Sequence, residues 1–478
     1  MKPKLYIRAD GCSKTGLGHV VRCCALADML RMDFSCTFFI RTPSAYLCQE
    51  IQKAGAAVVE MPAADSYEAE AEAWASRLEG SELIVLDGYH FQITYQRLLK
   101  ARGCRLVCID DIHAYPFAAD VIINHSGSAR RDQYEAPHST QFYLGFKYSL
   151  LRKAFLCGRS GQSANNTLLI CLGGADPDNN TLQVWKQVAK AGFSAIHILV
   201  GAAYQFRTEL EFLLSEANVP VTIHQSLEAE AVASLMQQCS HAVLSPSTTA
   251  LEYMSFSGVV YLCQIADNQS DLKSYFLDNG LAKDFSDFRR LSIAEEEEMI
   301  RKQKSIFDGR SGSRLLQLFQ AINFMADSRI EIATERDLDL TYQWANDLVA
   351  RQMSHNTDSI PADVHASWFM EKLNDRHCRY YLFHHGSKAF AQIRFDQKNE
   401  FYLLSYSIDA AYRGRGLGPF ILSEGIRKLR ADLGTQALRV VGYVKKENIS
   451  SILSFEKLKF RREETIENYH SNKYCLES

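Results

Sequence analysis

From Lys4 to about residue 280, short apolar runs alternate with amphipathic stretches, and no other feature of the chain limits its fold so strongly. "CTFFI", "AAVVEM", "LIVLDG", "RLVCID" and "VIINH" read as buried strands of a first part. "LLICLGG", "AIHILVG", "VTIHQ", "HAVLS" and "VVYLC" repeat the rhythm in a second. Runs rich in Val and Ile, separated by helical segments, predict parallel sheets with helices on both faces, the doubly wound α/β arrangement. Roughly ten strands are many for one sheet. The polar, glycine-bearing "CGRSGQSANN" therefore divides the region into two Rossmann-like domains, 1–155 and 156–285. In open sheets of this kind ligands bind at the carboxyl ends of the strands.

Residues 286–327 read as a helical connector, "AEEEEMIRKQKSIF" and "SRLLQLFQAINFM" on either side of "DGRSGS". Glu295 to Glu298 form a solvated helix start rather than a metal site. From residue 328 the texture changes to meandering strands, "IEIA", "YYLFHHG", "AFAQIRFD" and "FYLLSYSID", then a glycine loop and a helix. This predicts an α+β domain over 328–478. Because each part carries its own apolar runs and ligand loop, a cut near residue 327 is expected to release two soluble, active pieces.

The formal net charge of −3 over 478 residues and a pI of about 6.5 mark neither a nucleic-acid nor a membrane-surface binder. No apolar run approaches the roughly 18 residues of a membrane span. "MKPKLYIRAD" leads into a strand without the pattern of a signal peptide. The thirteen cysteines contain no CxxC pair. Reduced thiols in a cytoplasmic protein are the expectation.

Three motifs fall at carboxyl ends of strands. "KTGLGHVVRC" places Gly16, Gly18, His19 and Arg22 at a strand-to-helix turn. Glycines there let a ligand approach the backbone, the helix start favours anionic groups, and histidine exchanges a proton near neutral pH. The plain alternative is a histidine that only hydrogen-bonds its loop. "SPSTTALE" places Ser247, Thr248 and Thr249 at a helix start, as caps or as a phosphate cradle. Glu252 follows one turn in, where it could accept ribose hydroxyls. "ADNQ" places Asn268 and Gln269 after the next strand.

Together "RADGCSKTGLGHVVRCCALAD", "LDGY", "GFKYSLLR", "CLGGADPDNNT" and "ADNQ" resemble the UDP-sugar hydrolases of pseudaminic acid biosynthesis, which are similar in fold to two-domain GT-B glycosyltransferases. The resemblance covers about residues 1–285. It implies hydrolysis of UDP-2,4-diacetamido-2,4,6-trideoxy-β-L-altropyranose by water attack at the anomeric carbon. On this chain the family's catalytic groups fall on His19, Tyr89 and Asn268, and its nucleotide contacts on Ser247, Thr248, Thr249 and Glu252. Gly16, Gly18, Arg22 and Gln269 complete the expected UDP-sugar site. The chain departs from the family where Ser245, Pro246 and Ser247 replace a glycine-rich stretch. UDP is a good leaving group, so the main demand is an oriented water, and nothing requires a metal.

A fourth motif, "YRGRGLG", follows "YLLSYSID" and precedes a helix with Pro419 at its first turn. Consecutive N–H groups over Arg413, Gly414, Arg415, Gly416, Leu417 and Gly418 can wrap a pyrophosphate, with Ile408 ending the preceding strand. A side chain at Gly416 is expected to fill the ligand's space. About 30 residues later comes "NISSILSFEKLKF", with Asn448 and Ser451. The pair resembles the GNAT acetyltransferases and implies acetyl-CoA as cosubstrate. Within that family, and with "HASWF" over 365–369, the region resembles the N-acetyltransferase of the same pathway, acting on the 4-amino group of a UDP-linked altrosamine. The product of that step would be the hydrolase substrate. Where the family carries a proton-donating tyrosine, this chain has Phe455. Unaided thiolate departure, water, Ser451 and Tyr469 are the alternatives. A UDP-sugar glycosyltransferase fused to an acetyltransferase, the same activities on a stereoisomeric sugar, or a binding protein with a degenerate transferase tail are the rival readings.

Overall fold

The computed structural model describes residues 2–11, 17–156, 166–173, 176–201, 203–214, 217–434, 437–463 and 471–477. The chain builds three sheets. The first contains β1 (Lys4–Ala9), β2 (Ser35–Ile40), β3 (Ala57–Glu60), β4 (Leu83–Asp87), β5 (Arg105–Ile109), β6 (Val121–Asn124) and β7 (Gln141–Leu144). All pairs are parallel, in the order β3-β2-β1-β4-β5-β6-β7. The second contains β8 (Thr167–Cys171), β9 (Ala195–Val200), β10 (Val221–Gln225), β11 (His241–Leu244), β12 (Val259–Leu262) and β13 (Lys283–Asp284). It too is parallel, in the order β10-β9-β8-β11-β12-β13. Both orders reverse direction once, between β1 and β4 and between β8 and β11. These are the places where a doubly wound sheet opens a crevice at its carboxyl edge. Both units are Rossmann-like, in a GT-B-like pair.

Helices Ile293–Ile306 and Ser311–Ala326 follow. The first begins with a capping box in which the Ser292 and Glu295 side chains serve each other's backbone, so Glu295 is a cap residue. The third sheet contains β14 (Ser328–Ile332), β15 (Cys378–His385), β16 (Lys388–Gln397), β17 (Tyr402–Ile408), β18 (Arg439–Lys445), β19 (Arg461–Glu463) and β20 (Ser471–Glu477). Its order is β14-β15-β16-β17-β18-β20-β19, antiparallel except for β17 with β18. That parallel pair holds register only from Tyr402 to Leu404, against Val440 to Gly442, and then separates. The result is a mixed-sheet α+β domain of the GNAT type.

The helix Ser311–Ala326 is more than a spacer. It buries Leu315, Leu318, Phe319, Ile322 and Met325. Phe319 meets Phe34 of the first unit at 6.2 Å between ring centroids, while Phe324 stacks on His385 of the third at 4.2 Å. One apolar core therefore runs from the first sheet through this helix into the third. The two units also touch directly. The Phe142 N–H donates to the Lys457 carbonyl at 3.1 Å, Arg131 donates to the Glu456 carbonyl at 2.8 Å, and Arg105 pairs with Glu424 at 3.0 Å. Each buried apolar side chain contributes about 1.5–3 kcal/mol. A cut near residue 327 would divide this core, contrary to the independence expected from the sequence. Among the described residues no helix is long and apolar enough to cross a membrane, and the eleven described cysteines are free.

Candidate active sites

The first candidate site lies at the β1/β4 crevice. Strand β4 is buried along its whole length and ends on Asp87, whose side chain has no solvent exposure. Gly88 follows with φ +153, and a Cβ there would come within 2.9 Å of the Phe91 ring, so the turn needs glycine. Across the crevice, helix Gly18–Leu30 carries His19 in its first turn. The His19 Nδ1 and Asp87 Oδ1 are 2.7 Å apart. The Arg22 Nη2 also lies 3.0 Å from this nitrogen. The tautomer that donates Nδ1–H to the carboxylate, which can only accept, is the one that leaves the Nε2 lone pair for the cleft.

Arg22, one turn on, donates through Nε to Asp87 Oδ2 at 2.6 Å and through Nη2 to Oδ1 at 2.5 Å. Its Nη1 donates to Asp111 at 2.7 Å. Burial would raise the Asp87 pKa, but the Arg22 charge and hydrogen bonds and the bond from His19 hold it below the usual carboxylate value. The Tyr89 ring stands edge-on to His19 at 4.7 Å. Burial, followed by the negative charge of Asp111, pushes its phenol up to about 12, so it is a protonated donor.

The arrangement also uses residues that the motif reading did not single out. Asp87 orients the histidine, while Arg22, expected from the motif as a UDP-sugar contact, has its guanidinium engaged by Asp87 and Asp111. Next to them His125, after β6, is kept neutral: burial, then the Arg22 charge, lowers its pKa to about 4. Near the carboxyl end of β1, Arg8 has no exposed surface and bridges Glu70 (2.8 and 3.0 Å) and Asp10 (2.5 and 2.7 Å). An acidic residue closing an all-apolar strand before glycine, as in "LIVLDG", was the available signal for Asp87.

The β8/β11 crevice holds the second group. Ser247 is the N-cap position of helix Thr248–Ser255, yet no side chain caps the helix. The Ser247 hydroxyl is instead 3.2 Å from that of Ser245. The first N–H groups of this helix, around Thr248 and Thr249, thus remain open to an anion. Glu252 is buried, and its Oε1 accepts from Arg152 at 2.9 Å. Burial raises its pKa and Arg152 opposes the shift. Arg152, at the end of "GFKYSLLR", is a contact the motifs did not reveal.

Gln269 uses its Oε1 to accept the Ile265 N–H at 3.0 Å, which shapes the "ADNQ" turn. The Asn268 backbone belongs to the 3-10 turn Asp267–Gln269, and its side chain lies outside the described part. Gly16 and Tyr469 also lie outside the described residues. The two units meet beside this turn: a Cβ on Gly127, after β6, would fall 2.4 Å from the Tyr275 ring in the helix following Gln269.

The third site lies on the α+β domain. Strand β17 ends at Ile408, whose carbonyl accepts from the Arg413 Nε at 2.8 Å. Arg413 also pairs with Asp347 at 2.6 Å, and Arg415 donates to the Ala411 carbonyl and covers the Tyr412 ring. Both arginines brace the loop. Gly414 and Gly416 have φ near +74 and +75, then helix Gly418–Leu433 begins with Pro419. A Cβ on Gly416 points at Gln317 and Ala321 of the helix Ser311–Ala326, at 3.4 and 3.8 Å. These are ordinary contact distances, so it is the positive φ that calls for glycine at this position of the groove wall. The Gln317 amide also donates to the Gly414 carbonyl. A Cβ on Gly418 would lie 2.5 Å from the Ser454 hydroxyl.

Asn448 caps helix Ile449–Glu456 by accepting the Ser451 N–H at 3.1 Å. These elements line a groove of about 820 Å³ that extends past Leu417 to Trp344, His365, Trp368 and Arg394. His365 is buried, and neither ring nitrogen has a hydrogen-bond partner among the described residues.

Residues 342–460 match the Acetyltransferase (GNAT) family. An uncharacterized protein of Methanocaldococcus jannaschii is 22% identical over 488 residues, covering 96% of this chain and 97% of that one. A UDP-2,4-diacetamido-2,4,6-trideoxy-β-L-altropyranose hydrolase of Campylobacter jejuni is 24% identical over 272 residues, covering 54% of this chain and 92% of its own. Among solved structures, a spermidine N-acetyltransferase from Vibrio cholerae with CoA and spermine covers 31% of this chain and 94% of that one. It is 11% identical with a TM-score of 0.28. An aminoglycoside acetyltransferase with coenzyme A covers 31% and 92%, at 15% identity and a TM-score of 0.27. The C-terminal region is a GNAT acetyltransferase domain, and the N-terminal region is distantly similar to a UDP-diacetamido-trideoxy-altropyranose hydrolase.

Proposed function

We propose that the chain is a bifunctional nucleotide-sugar enzyme of pseudaminic acid biosynthesis. Its C-terminal domain acetylates the 4-amino group of UDP-4-amino-4,6-dideoxy-N-acetyl-β-L-altrosamine with acetyl-CoA. Its N-terminal pair hydrolyses the resulting UDP-2,4-diacetamido-2,4,6-trideoxy-β-L-altropyranose to the free sugar and UDP. The single observation that carries the hydrolase half is the 2.7 Å pair of His19 with the buried Asp87, beside Tyr89 at a sheet's reversal point.

In this reading the His19 Nε2 accepts a proton from water as its oxygen bonds to the anomeric carbon. The bond to UDP breaks, and its electron pair leaves on the diphosphate. Tyr89 and Asn268 position water or sugar. The N–H groups at the start of helix Thr248–Ser255 hold the diphosphate charge. In the C-terminal half the Arg413–Gly418 loop cradles the acetyl-CoA pyrophosphate. The aromatic wall of Trp344, His365 and Trp368 receives the nucleotide sugar.

His19→Ala tests the assignment. UDP release should fall by about 10²-fold or more, while thiol release from acetyl-CoA by the same protein continues unchanged. Unchanged hydrolysis would remove His19 from the mechanism, and equal loss of both activities would point to misfolding.

A further inference from the structure

Acetyl transfer needs a proton for the departing coenzyme A sulfur, and the helix that carries Asn448 and Ser451 brings a phenyl ring to the expected place. Phe455 is buried against Phe460 (4.7 Å), Tyr474 (5.1 Å) and Tyr406 (6.3 Å). A Cβ on Gly442 would lie 2.6 Å from its ring, so the ring rests on β18 where the last β17/β18 pair forms.

Another phenol stands just beyond that fork. Tyr406 is two residues past Leu404, the last paired residue of β17, and so shares a face with it. Its hydroxyl is 3.1 Å from the Ser451 Oγ, and 3.6 Å from where a Gly418 Cβ would stand. It therefore sits between the first residue of the glycine-loop helix and the "Asn-x-x-Ser" helix, and it lines the same groove as Asn448, Ser454 and Phe455. The other phenols are placed differently. The Tyr380 hydroxyl is taken by Gln392, the Tyr412 ring is packed among Phe324, Phe390 and Arg415 at the glycine loop, Tyr443 is 43% exposed, and Tyr474 does not line the groove.

We infer that Tyr406 is the proton donor to the coenzyme A sulfur, in place of the tyrosine that Phe455 replaces. The inference rests on the acetyl-transfer reading of this domain and adds the residue that completes it. As the amine nitrogen bonds to the thioester carbon, the carbon–sulfur bond breaks and its pair goes to sulfur, which takes the Tyr406 proton. The phenolate is reprotonated through the Ser451 hydroxyl from water in the groove. The amine sheds one proton to solvent, so protons balance. Burial raises the Tyr406 pKa against the opposing Ser451 and Ser454 hydrogen bonds, which keeps the donor protonated across the working range.

The test compares wild type, Tyr406→Phe, Phe455→Tyr and the double variant Tyr406→Phe/Phe455→Tyr in the full chain. It uses the UDP-4-amino sugar and acetyl-CoA, with thiol release followed in single turnover and acetyl-CoA affinity measured by calorimetry. Tyr406→Phe should lower the transfer rate by about 10²-fold or more while acetyl-CoA affinity stays within about threefold. Circular dichroism and UDP-sugar hydrolysis should be unchanged. Phe455→Tyr alone should alter the wild-type rate by less than about tenfold, and partial recovery in the double variant would mark the lost group as a proton donor. A Tyr406→Phe rate within threefold of wild type would overturn the inference and leave the acetyl-transfer reading intact. Loss of affinity matching the loss of rate would make Tyr406 a binding residue and overturn it as well. No thiol release from wild type would overturn the acetyl-transfer reading, and the inference with it.

Discussion

Asp87→Asn separates orientation of the histidine from the rest of the hydrolase site. The side chain keeps its shape, but its carboxylate accepts from His19 at 2.7 Å and from Arg22 at 2.6 and 2.5 Å, and an amide cannot accept all three. Turned with oxygen toward Arg22, it points N–H groups at His19 Nδ1 and forces the tautomer whose lone pair faces away from the cleft. Neutralising an orienting carboxylate in this way costs roughly 10²–10⁴ in rate, about 3–5 kcal/mol of transition-state stabilisation. Folding also suffers, because removing one partner of a buried ion pair costs about 3–5 kcal/mol. Arg22 keeps Asp111 at 2.7 Å, which places the loss toward the lower end. That is tolerable for a chain with a few kcal/mol in reserve.

The assay measures UDP release against substrate concentration, with acetyl transfer by the same preparation as an internal control and urea denaturation for stability. The expected result is a kcat lowered by about two to four orders of magnitude, a smaller change in KM and unchanged acetyl transfer. Hydrolysis within threefold of wild type would refute the claim that Asp87 sets the histidine's tautomer.

Two further expectations come from packing and burial. A fragment beginning at residue 311 should remain soluble, and one beginning at 328 should melt earlier or precipitate, because Phe324 covers His385, Phe390 and Tyr412; equal melting temperatures would show that the helix adds nothing to the domain. His125 has a folded pKa of about 4 against an ordinary 6.5. Above pH 6.5 it is neutral in both states; as pH falls from 6.5 to about 4 only the unfolded chain takes the proton. Stability is therefore lost over that window, by up to about 3 kcal/mol. Urea midpoints at pH 7.5 and 5 should differ less for His125→Gln than for wild type, and identical differences would contradict this account.

Much of this architecture was legible because each signal was local. The runs from "CTFFI" to "VVYLC" became parallel strands since short apolar, β-branched segments have few other uses between helices. But "AAVVEM" and "VTIHQ", read as buried, form the edge strands β3 and β10, where every residue is partly or largely exposed. Strand β7, "QFYL", carries no legible signal because four residues with a polar start hold no period, and β18 is interrupted by Gly442 beneath Phe455. His19 and the "YRGRGLG" loop stood out because glycine beside a helix start is a chain-local pattern. Their partners did not. Asp87 lies 68 residues from His19, and Gln317 lies 97 residues from Gly414. Only the fold brings such pairs together, and no spacing rule anticipates them. The single continuous core was likewise hidden, since "SRLLQLFQAINFM" has apolar residues enough for two neighbours but does not say which.

The most direct test of the two-step account is one incubation in ¹⁸O-water: purified chain, the UDP-4-amino sugar and acetyl-CoA, with no sugar or protein acceptor, followed by mass spectrometry and NMR. The account predicts thiol release, then a free diacetamido sugar together with UDP that carries no ¹⁸O, because water attacks carbon and the phosphate keeps its own oxygen. UDP that appears only after an acceptor sugar is added would contradict hydrolysis and favour glycosyl transfer, and ¹⁸O in the UDP phosphate would contradict attack at the anomeric carbon.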